Sequence, residues 1–246
     1  DQKAQRTAKD AYDRLFTLKW TPPGRGLWMM GTEFIHKRTA AGLFNCAFRS
    51  TKELPTHGGY LFSWMMDALM LGIGVGFDTL GAGTVTIKQP VYTDDVEVID
   101  DSREGWVRSV NTLLNGFFFG DEVPKFDYSA IRGPGAEIKG FGGTASGPGP
   151  LIELHNHLKN LDTDRIGSTI TSVDIVDTEN LIGRCVVAGN VRRSAALALG
   201  QYDDMDYLTM KNDQEKLGHH RWGSNNSFHA VVGMDYTWHA EQSQLN

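Results

Sequence analysis

The chain has 246 residues, with 24 basic and 30 acidic side chains and a formal net charge of −6. A chain of this length can bury the core of one large domain or two small ones. Because its charge balance gives a polyanion no electrostatic reason to bind, nucleic acid is not an expected partner.

The two cysteines, Cys46 and Cys185, have neither a disulfide framework nor a zinc-ligand spacing. They favour a reducing, cytoplasmic setting. The longest apolar runs, 61–71 and 113–119, are short or interrupted, so we expect no membrane span and no signal peptide.

Helical patterns occur at both ends of the chain. The first reaches Phe16 and is followed by Pro22 and Pro23, which cannot continue it. The chain starts without Met, and its last residues, 240–246, resemble a helix cut off part-way. We therefore expect a fragment of a longer protein.

Strand-like and helix-like patterns alternate between the ends. The helix over 103–119 is the best marked, because Ser102 can cap it and Glu104 suits its first turn. Further helices are predicted at 59–71, from 151 to 161 and at 166–188, and strands at 43–49, 73–77, 84–88, 96–99, 195–199 and 228–232. This alternation predicts an α/β sheet or barrel with crossover helices.

Glycine is concentrated in two places, since 72–83 and 133–149 hold twelve of the 28 glycines. The first cluster lacks the spacing of the dinucleotide fingerprint and is more typical of a tightly packed strand end than of a ligand loop. The stretch around the second cluster, 132–150, has three prolines and precedes a helix, which favours an ordered ligand loop over a flexible surface loop.

Few other residues indicate chemistry. Cys46 and Cys185 both lie in apolar surroundings and are more typical of small buried side chains than of reactive thiols. His155 and His157 diverge on a helix, as do the adjacent His219 and His220, so no metal site is predicted. Arg192 and Arg193 could hold a phosphate or carboxylate, or form an ordinary ion pair.

Six motifs indicate a family. In their order along the chain they resemble the adenosylcobalamin-dependent ribonucleoside-triphosphate reductases, over essentially the whole sequence. They lie at 18–32, 44–48, 72–77, 138–150, 189–195 and 221–227.

The resemblance implies a ten-stranded α/β barrel made of two five-stranded halves. This chain would form about the first half. In monomeric members a helical insertion completes the effector site, and the helix over 103–119 is our candidate for it.

The resemblance also implies an activity. Such enzymes use adenosylcobalamin and a thiyl radical to reduce the 2′-carbon of ribonucleoside triphosphates, with a thioredoxin-like reductant and deoxynucleoside triphosphate effectors. We expect the radical cysteine, its glutamate base, the remaining redox cysteines and the cobalamin-binding segment to lie beyond Asn246. The fragment should then need the missing half of the barrel for turnover.

Carried over residue by residue, Cys46 matches the first redox cysteine, with Asn45 and Gly74 close to the substrate. Two loops match the effector-binding segments. The predicted effector residues are Gly76, Asp78, Thr79, Leu80, Gly81 and Ala82 in the first loop, and Lys139, Gly140, Phe141, Gly142, Gly143 and Thr144 in the second.

Two alternatives remain open at this point. One is a non-catalytic deoxynucleotide-binding module from a split or decayed gene. The other is the large subunit of a diiron-dependent reductase, against which the 44–48 and 189–195 motifs favour the cobalamin type.

Overall fold

A computed structural model describes residues 1–38, 40–138, 144–188, 195–212 and 220–244. The chain divides into two compact units, Asp1–Asn45 and Cys46–Asn246. None of the described helices is long and apolar enough to cross a membrane.

The first unit is helical. Its elements are α1 (Gln2–Phe16), α2 (Gly24–Met29), α3 (Glu33–Arg38) and a 3₁₀ turn at Ala40–Leu43. The side chain of Asp1 caps α1 by accepting a hydrogen bond from the Lys3 amide. The predicted N-terminal helix is therefore confirmed.

The second unit contains six strands and seven helices among its described residues. The strands are β1 (Cys46–Arg49), β2 (Gly74–Asp78), β3 (Val91–Val98), β4 (Glu122–Asp127), β5 (Ala196–Gly200) and β6 (Ser224–Phe228). The helices are α4 (Leu54–His57), α5 (Tyr60–Met70), α6 (Arg103–Phe119), α7 (Gly149–Thr163), α8 (Ser172–Val187), α9 (Met205–Thr209) and α10 (Thr237–Gln244).

Four strands form a parallel sheet in the order β1-β2-β5-β6. Helix α5 packs on β1 and β2, and α8 packs on β5. Burial alternates along the strands, because Val75, Phe77 and Ala198 are buried whereas Phe48 and Leu197 are exposed. One face of the sheet is therefore covered by helices, and the predicted α/β fold is confirmed.

The remaining strands form a separate βαβ unit. Strands β3 and β4 pair in parallel and are connected by α6. Residues 93–95 of β3 bulge opposite Pro124, which has no amide hydrogen to offer the ladder. A Cβ on Gly116 of α6 would lie 2.3 Å from Val123, so this glycine allows α6 to lie directly on β4.

Four helices of the second unit pack side by side. Helix α5 contacts both α6 and α8, and α7 also contacts both α6 and α8. Helices α5 and α8, which cover the sheet, are thus joined to α6 and α7.

Two predictions for the middle of the chain are wrong, one of a strand and one of a helix start. The segment 84–88 is not a strand: it pairs irregularly with 167–170, through a single antiparallel bridge between Thr86 and Thr169. Because 167–170 is used in this pairing, α8 begins at Ser172 and not at 166. Thr171 and Asp174 form a capping box there.

The prediction of a strand at 228–232 is also wrong, since β6 is Ser224–Phe228 and Val232 is fully exposed. Strand β4 was not predicted at all. Strand β6 is rich in polar residues and β4 is interrupted by a proline, so neither shows the apolar alternation that indicates a strand.

Candidate functional site

The face of the parallel sheet opposite α5 and α8 is open to solvent. It carries Cys46 and Phe48 of β1, Leu197 of β5, and Asn225 and Ser227 of β6, all exposed. We call this surface the open face. Three strand spacings of about 4.8 Å separate β1 from β6, so the open face is wide enough for an extended small molecule.

Cys46 lies at one edge of the open face, at the start of the edge strand β1. Its register partner on β2 is Gly74, so the structure brings these two predicted residues together. Asn45 is the last residue of the first unit and directly precedes Cys46 in the chain.

The expectation that Cys46 is buried is wrong, because its side chain is exposed. Apolar neighbours in the sequence suggested burial. In the sheet, however, β1 has one strand neighbour among the described residues, and Cys46 points away from the helices that cover the other face. The thiol is therefore accessible to a ligand on the open face.

The turn after β2 is held by a buried polar cluster. One carboxylate oxygen of Asp78, Oδ1, accepts hydrogen bonds from the Thr51 amide at 2.8 Å, the Thr51 hydroxyl at 2.9 Å and the Leu80 amide at 3.2 Å. The Gly81 amide donates to the Thr51 hydroxyl at 2.8 Å. Asp78 is 3% exposed, so its carboxylate holds this turn against the segment that follows β1.

Four other predicted residues of the first loop, Thr79, Leu80, Gly81 and Ala82, lie on the same turn, whereas Gly76 lies within β2. A Cβ on Gly81 would be 2.7 Å from the Thr51 carbonyl oxygen, which explains why glycine is found there. Thr79 is buried, and its hydroxyl has no hydrogen-bond partner among the described residues. A Cβ on Gly76 would lie 2.9 Å from the Phe48 ring, so the packed-strand interpretation of this glycine holds.

The second glycine cluster forms two paired segments. The Gly135 amide donates to the Ala145 carbonyl at 2.8 Å, and the Ala145 amide donates to the Ala136 carbonyl at 2.7 Å. Glu137 and Thr144 form an antiparallel bridge. Five predicted effector residues, Lys139, Gly140, Phe141, Gly142 and Gly143, lie between these segments in the chain and outside the described residues.

A cavity of about 140 Å³ lies where this paired segment meets the helices. We call it the α6 cavity. Its walls combine an indole ring, apolar side chains, two guanidinium groups and the backbone of the second cluster, with lining residues that include Met70, Ser102, Arg103, Trp106, Ile131, Arg132, Thr144 and Gly147. Ser102 caps the helix at this end by accepting a hydrogen bond from the Gly105 amide at 3.0 Å.

Both arginines of the α6 cavity are paired with aspartates. Arg103 binds Asp67 of α5, and Arg132 binds Asp101 through Nε at 2.6 Å. Arg132 also donates to the Glu137 carbonyl at 2.8 Å. These pairs connect the start of α6 to α5 and to the glycine-rich segment, and they neutralise the charge of both guanidinium groups beside the cavity.

Cys185 of α8 also lines the α6 cavity but is 6% exposed. Burial, with a smaller contribution from Glu153, raises the pKa of its thiol to about 12. A thiol of this kind is not ionised near neutral pH and is a poor nucleophile. The interpretation of Cys185 as a buried structural side chain is confirmed.

The predicted site residues that the structure describes therefore fall into three places: the edge of the open face, β2 with the turn after it, and the α6 cavity. Cys46 and Gly74 meet at the edge of the open face, whereas Thr144 lines the α6 cavity. None of Gly76, Asp78, Thr79, Leu80, Gly81 and Ala82 lines that cavity among the described residues. The sequence did not indicate Trp106 and Arg132 as site residues, although the capped start of α6 is a signal that could have drawn attention to Trp106.

Two further sequence predictions concern ions. The described residues contain no group of three or more His, Cys, Asp or Glu side chains that could hold a metal ion. Arg192, Arg193 and His219 lie outside the described residues, as does most of the 189–195 motif.

Two family models match the chain. The insertion domain of B12-dependent ribonucleotide reductase matches residues 78–161, and the ribonucleotide reductase alpha domain matches residues 1–32. The first match includes β3, α6, β4 and most of α7. It therefore covers the helix that the resemblance singled out as part of an insertion.

Curated relatives match nearly the whole chain. The adenosylcobalamin-dependent ribonucleoside-triphosphate reductase of Euglena gracilis is 45% identical over 100% of this chain and 34% of its own length. A probable enzyme of the same name from Dictyostelium discoideum is 43% identical over 96% of this chain and 34% of its own. The reductase of Lactobacillus leichmannii is 38% identical over 92% of this chain. The chain spans about a third of the length of these relatives.

A solved structure shares the fold. The crystal structure of a B12-dependent (class II) ribonucleotide reductase superposes with a TM-score of 0.76 at 33% sequence identity, over 95% of this chain and 39% of that one. The matches in sequence, family model and fold agree on the cobalamin class over the diiron class. The chain belongs to the B12-dependent ribonucleotide reductases, where it corresponds to the N-terminal part of the enzyme.

Proposed function

We propose that this chain provides a redox cysteine and the effector-binding region of a reductase that converts ribonucleoside triphosphates to 2′-deoxyribonucleoside triphosphates for DNA synthesis. The observation that carries the proposal is the exposed thiol of Cys46 beside Gly74 on the open face. This arrangement leaves a thiol accessible to a substrate, with no side chain on its register partner.

The role of Cys46 is that of a two-electron donor, together with a second cysteine outside this chain. The 2′-hydroxyl leaves as water, the 2′-carbon gains a hydrogen, and the two thiols are oxidised to a disulfide. A thioredoxin-like dithiol then returns both thiols to the reduced state by disulfide exchange. An exposed position on an edge strand suits this cycle, because both the substrate and the second thiol must reach the same sulfur.

Adenosylcobalamin would supply the radical that starts the reaction. The cavities of about 140 and 320 Å³ among the described residues are each too small for a corrinoid. We therefore assign no residue of this chain to the cofactor and derive no step through it.

The α6 cavity is the proposed effector site. An indole and apolar side chains suit a nucleobase, while Arg103 and Arg132 could bind an anionic ligand in exchange for their partners Asp67 and Asp101. The glycine-rich segment that forms one wall could adopt different backbone arrangements with different deoxynucleotides at small cost. This segment would then pass differences among effectors on to the substrate-binding region.

We expect the 246-residue chain to bind deoxynucleoside triphosphates at this cavity. Trp106→Ala should weaken binding about tenfold, because stacking of a base on an aromatic ring contributes roughly 1–3 kcal/mol. Isothermal titration calorimetry with each of the four deoxynucleotides measures this. The matched control is Trp222→Ala, an exposed indole that does not line the α6 cavity. Equal affinities of the two variants would argue against the site.

We expect catalytic competence to appear in a chimera with a complete enzyme. The corresponding third of the Euglena gracilis relative is replaced by this chain, since the two align along its whole length. The chimera should reduce ribonucleoside triphosphates in the presence of adenosylcobalamin and a dithiol. The readout is deoxynucleotide formed per enzyme, and a folded chimera without activity would contradict the proposal.

A further inference from the structure

A buried chain of polar side chains connects the two insertion helices below the α6 cavity. His155 of α7 is 1% exposed. Its Nε2 lies 3.1 Å from the hydroxyl oxygen of Ser109 on α6, and its Nδ1 lies 2.7 Å from the hydroxyl oxygen of Tyr128, just after β4. Ser109 is fully buried and lies one helical turn from Trp106, which lines the cavity.

The directions of these hydrogen bonds follow from the groups available. The Ser109 oxygen is 2.9 Å from the Trp106 carbonyl, which can only accept, so the one hydroxyl hydrogen of Ser109 goes there. Ser109 then accepts from Nε2–H of His155, and Nδ1 accepts from the Tyr128 hydroxyl. The reverse direction would leave the Tyr128 hydroxyl hydrogen without an acceptor among the described residues.

The surroundings of His155 favour a neutral ring. The rings of Phe126 and Tyr128 lie 4.8 and 5.7 Å from the imidazole, and Lys159 is one turn further along α7. No carboxylate is paired with His155 among the described residues. Burial, with a smaller effect of Lys159, lowers the pKa of His155 to about 3, so the ring carries no charge at physiological pH.

We propose that His155 is a positioning residue for the α6 cavity: as the neutral Nε2–H tautomer, it links Tyr128 to Ser109 and so holds the Trp106 turn of α6 against α7. The link to ligand binding rests on the proposed effector role of the cavity. The placement of α6 does not rest on that role, because it depends only on hydrogen bonds within the chain.

Tyr128→Phe tests the proposal with little change in shape, since it removes only the hydroxyl that donates to Nδ1. In ¹⁵N-labelled wild-type chain, NMR should show His155 as the Nε2–H tautomer and uncharged from pH 7 to pH 5. In Tyr128→Phe we expect a tautomer mixture, together with amide exchange about fivefold faster at 105–110. Deoxynucleotide affinity at the cavity should fall by a similar factor.

The matched control is His157→Gln, which changes an exposed histidine two residues away on the same helix and should alter none of these readouts. An Nδ1–H tautomer in the wild type, or unchanged exchange in Tyr128→Phe, would overturn the positioning role. If exchange changes and nucleotide affinity does not, the link to the cavity is wrong. If no deoxynucleotide binds the wild-type chain, the proposed function fails, while amide exchange still decides whether His155 positions α6.

Discussion

Cys46→Ser in the chimeric reductase is expected to reduce multiple turnover at least about 100-fold, because serine cannot form the disulfide that provides two electrons. The exposed thiol at the edge of the open face makes Cys46 the cysteine of this chain that can reach a substrate. Deoxynucleotide formation with a thioredoxin-like reductant measures the effect.

Cys185→Ala removes the other thiol of the chain and serves as the comparison. Since Cys185 is buried and its thiol is not ionised near neutral pH, this variant should keep thioredoxin-coupled turnover. Continued turnover by Cys46→Ser would show that Cys46 is not the redox cysteine. Loss of turnover in both variants, with the fold retained, would leave no reason to assign the role to Cys46 alone.

Asp78→Ala is expected to destabilise the chain by about 3–5 kcal/mol, because a buried hydrogen-bonded group is removed and its donors lose their partner. Oδ1 of Asp78 accepts three hydrogen bonds, two of them from Thr51. Urea unfolding followed by circular dichroism gives the free energy of unfolding.

Asp78→Asn is the matched control, since an amide oxygen can still accept from the Thr51 and Leu80 amides. It should cost clearly less than Asp78→Ala. The pair of variants also separates two roles for a residue predicted to bind the effector. If Asp78→Asn is stable but fails to bind deoxynucleotide, the effector site is not confined to the α6 cavity, which Asp78 does not line. If Asp78→Ala costs less than about 1 kcal/mol, the structural role is wrong.

The quality of the sequence predictions depended on how local the signals were. Helix α6 was predicted with the correct ends, because Ser102, Glu104 and its apolar stripe all lie within the helix or next to it. The predicted start of α8 at 166 was wrong because 167–170 pairs with 83–87, a contact between segments about 80 residues apart, and because the local capping box of Thr171 and Asp174 was overlooked.

The same distinction applies to the site. The meeting of Cys46 and Gly74 was anticipated by the family resemblance and agrees with the strand register. The exposure of Cys46 was not anticipated, since an apolar string in the sequence does not indicate which face of a sheet the helices cover. Trp106 and Arg132 come together from α6 and from the segment after β4, and each is unremarkable in its own stretch of sequence.

The sequence alone therefore determined the family, the α/β class, both ends of α6 and the position of the candidate redox cysteine, because motifs, caps and periodicity are written in neighbouring residues. Only the tertiary structure decided which sheet face is open, that polar Ser224–Phe228 is a strand, and that His155 lies between Ser109 and Tyr128. These features depend on burial and on pairing between distant segments. A concentration of glycines indicates that the backbone must come close to something, and the fold shows that Gly81 approaches Thr51 and Gly76 approaches Phe48.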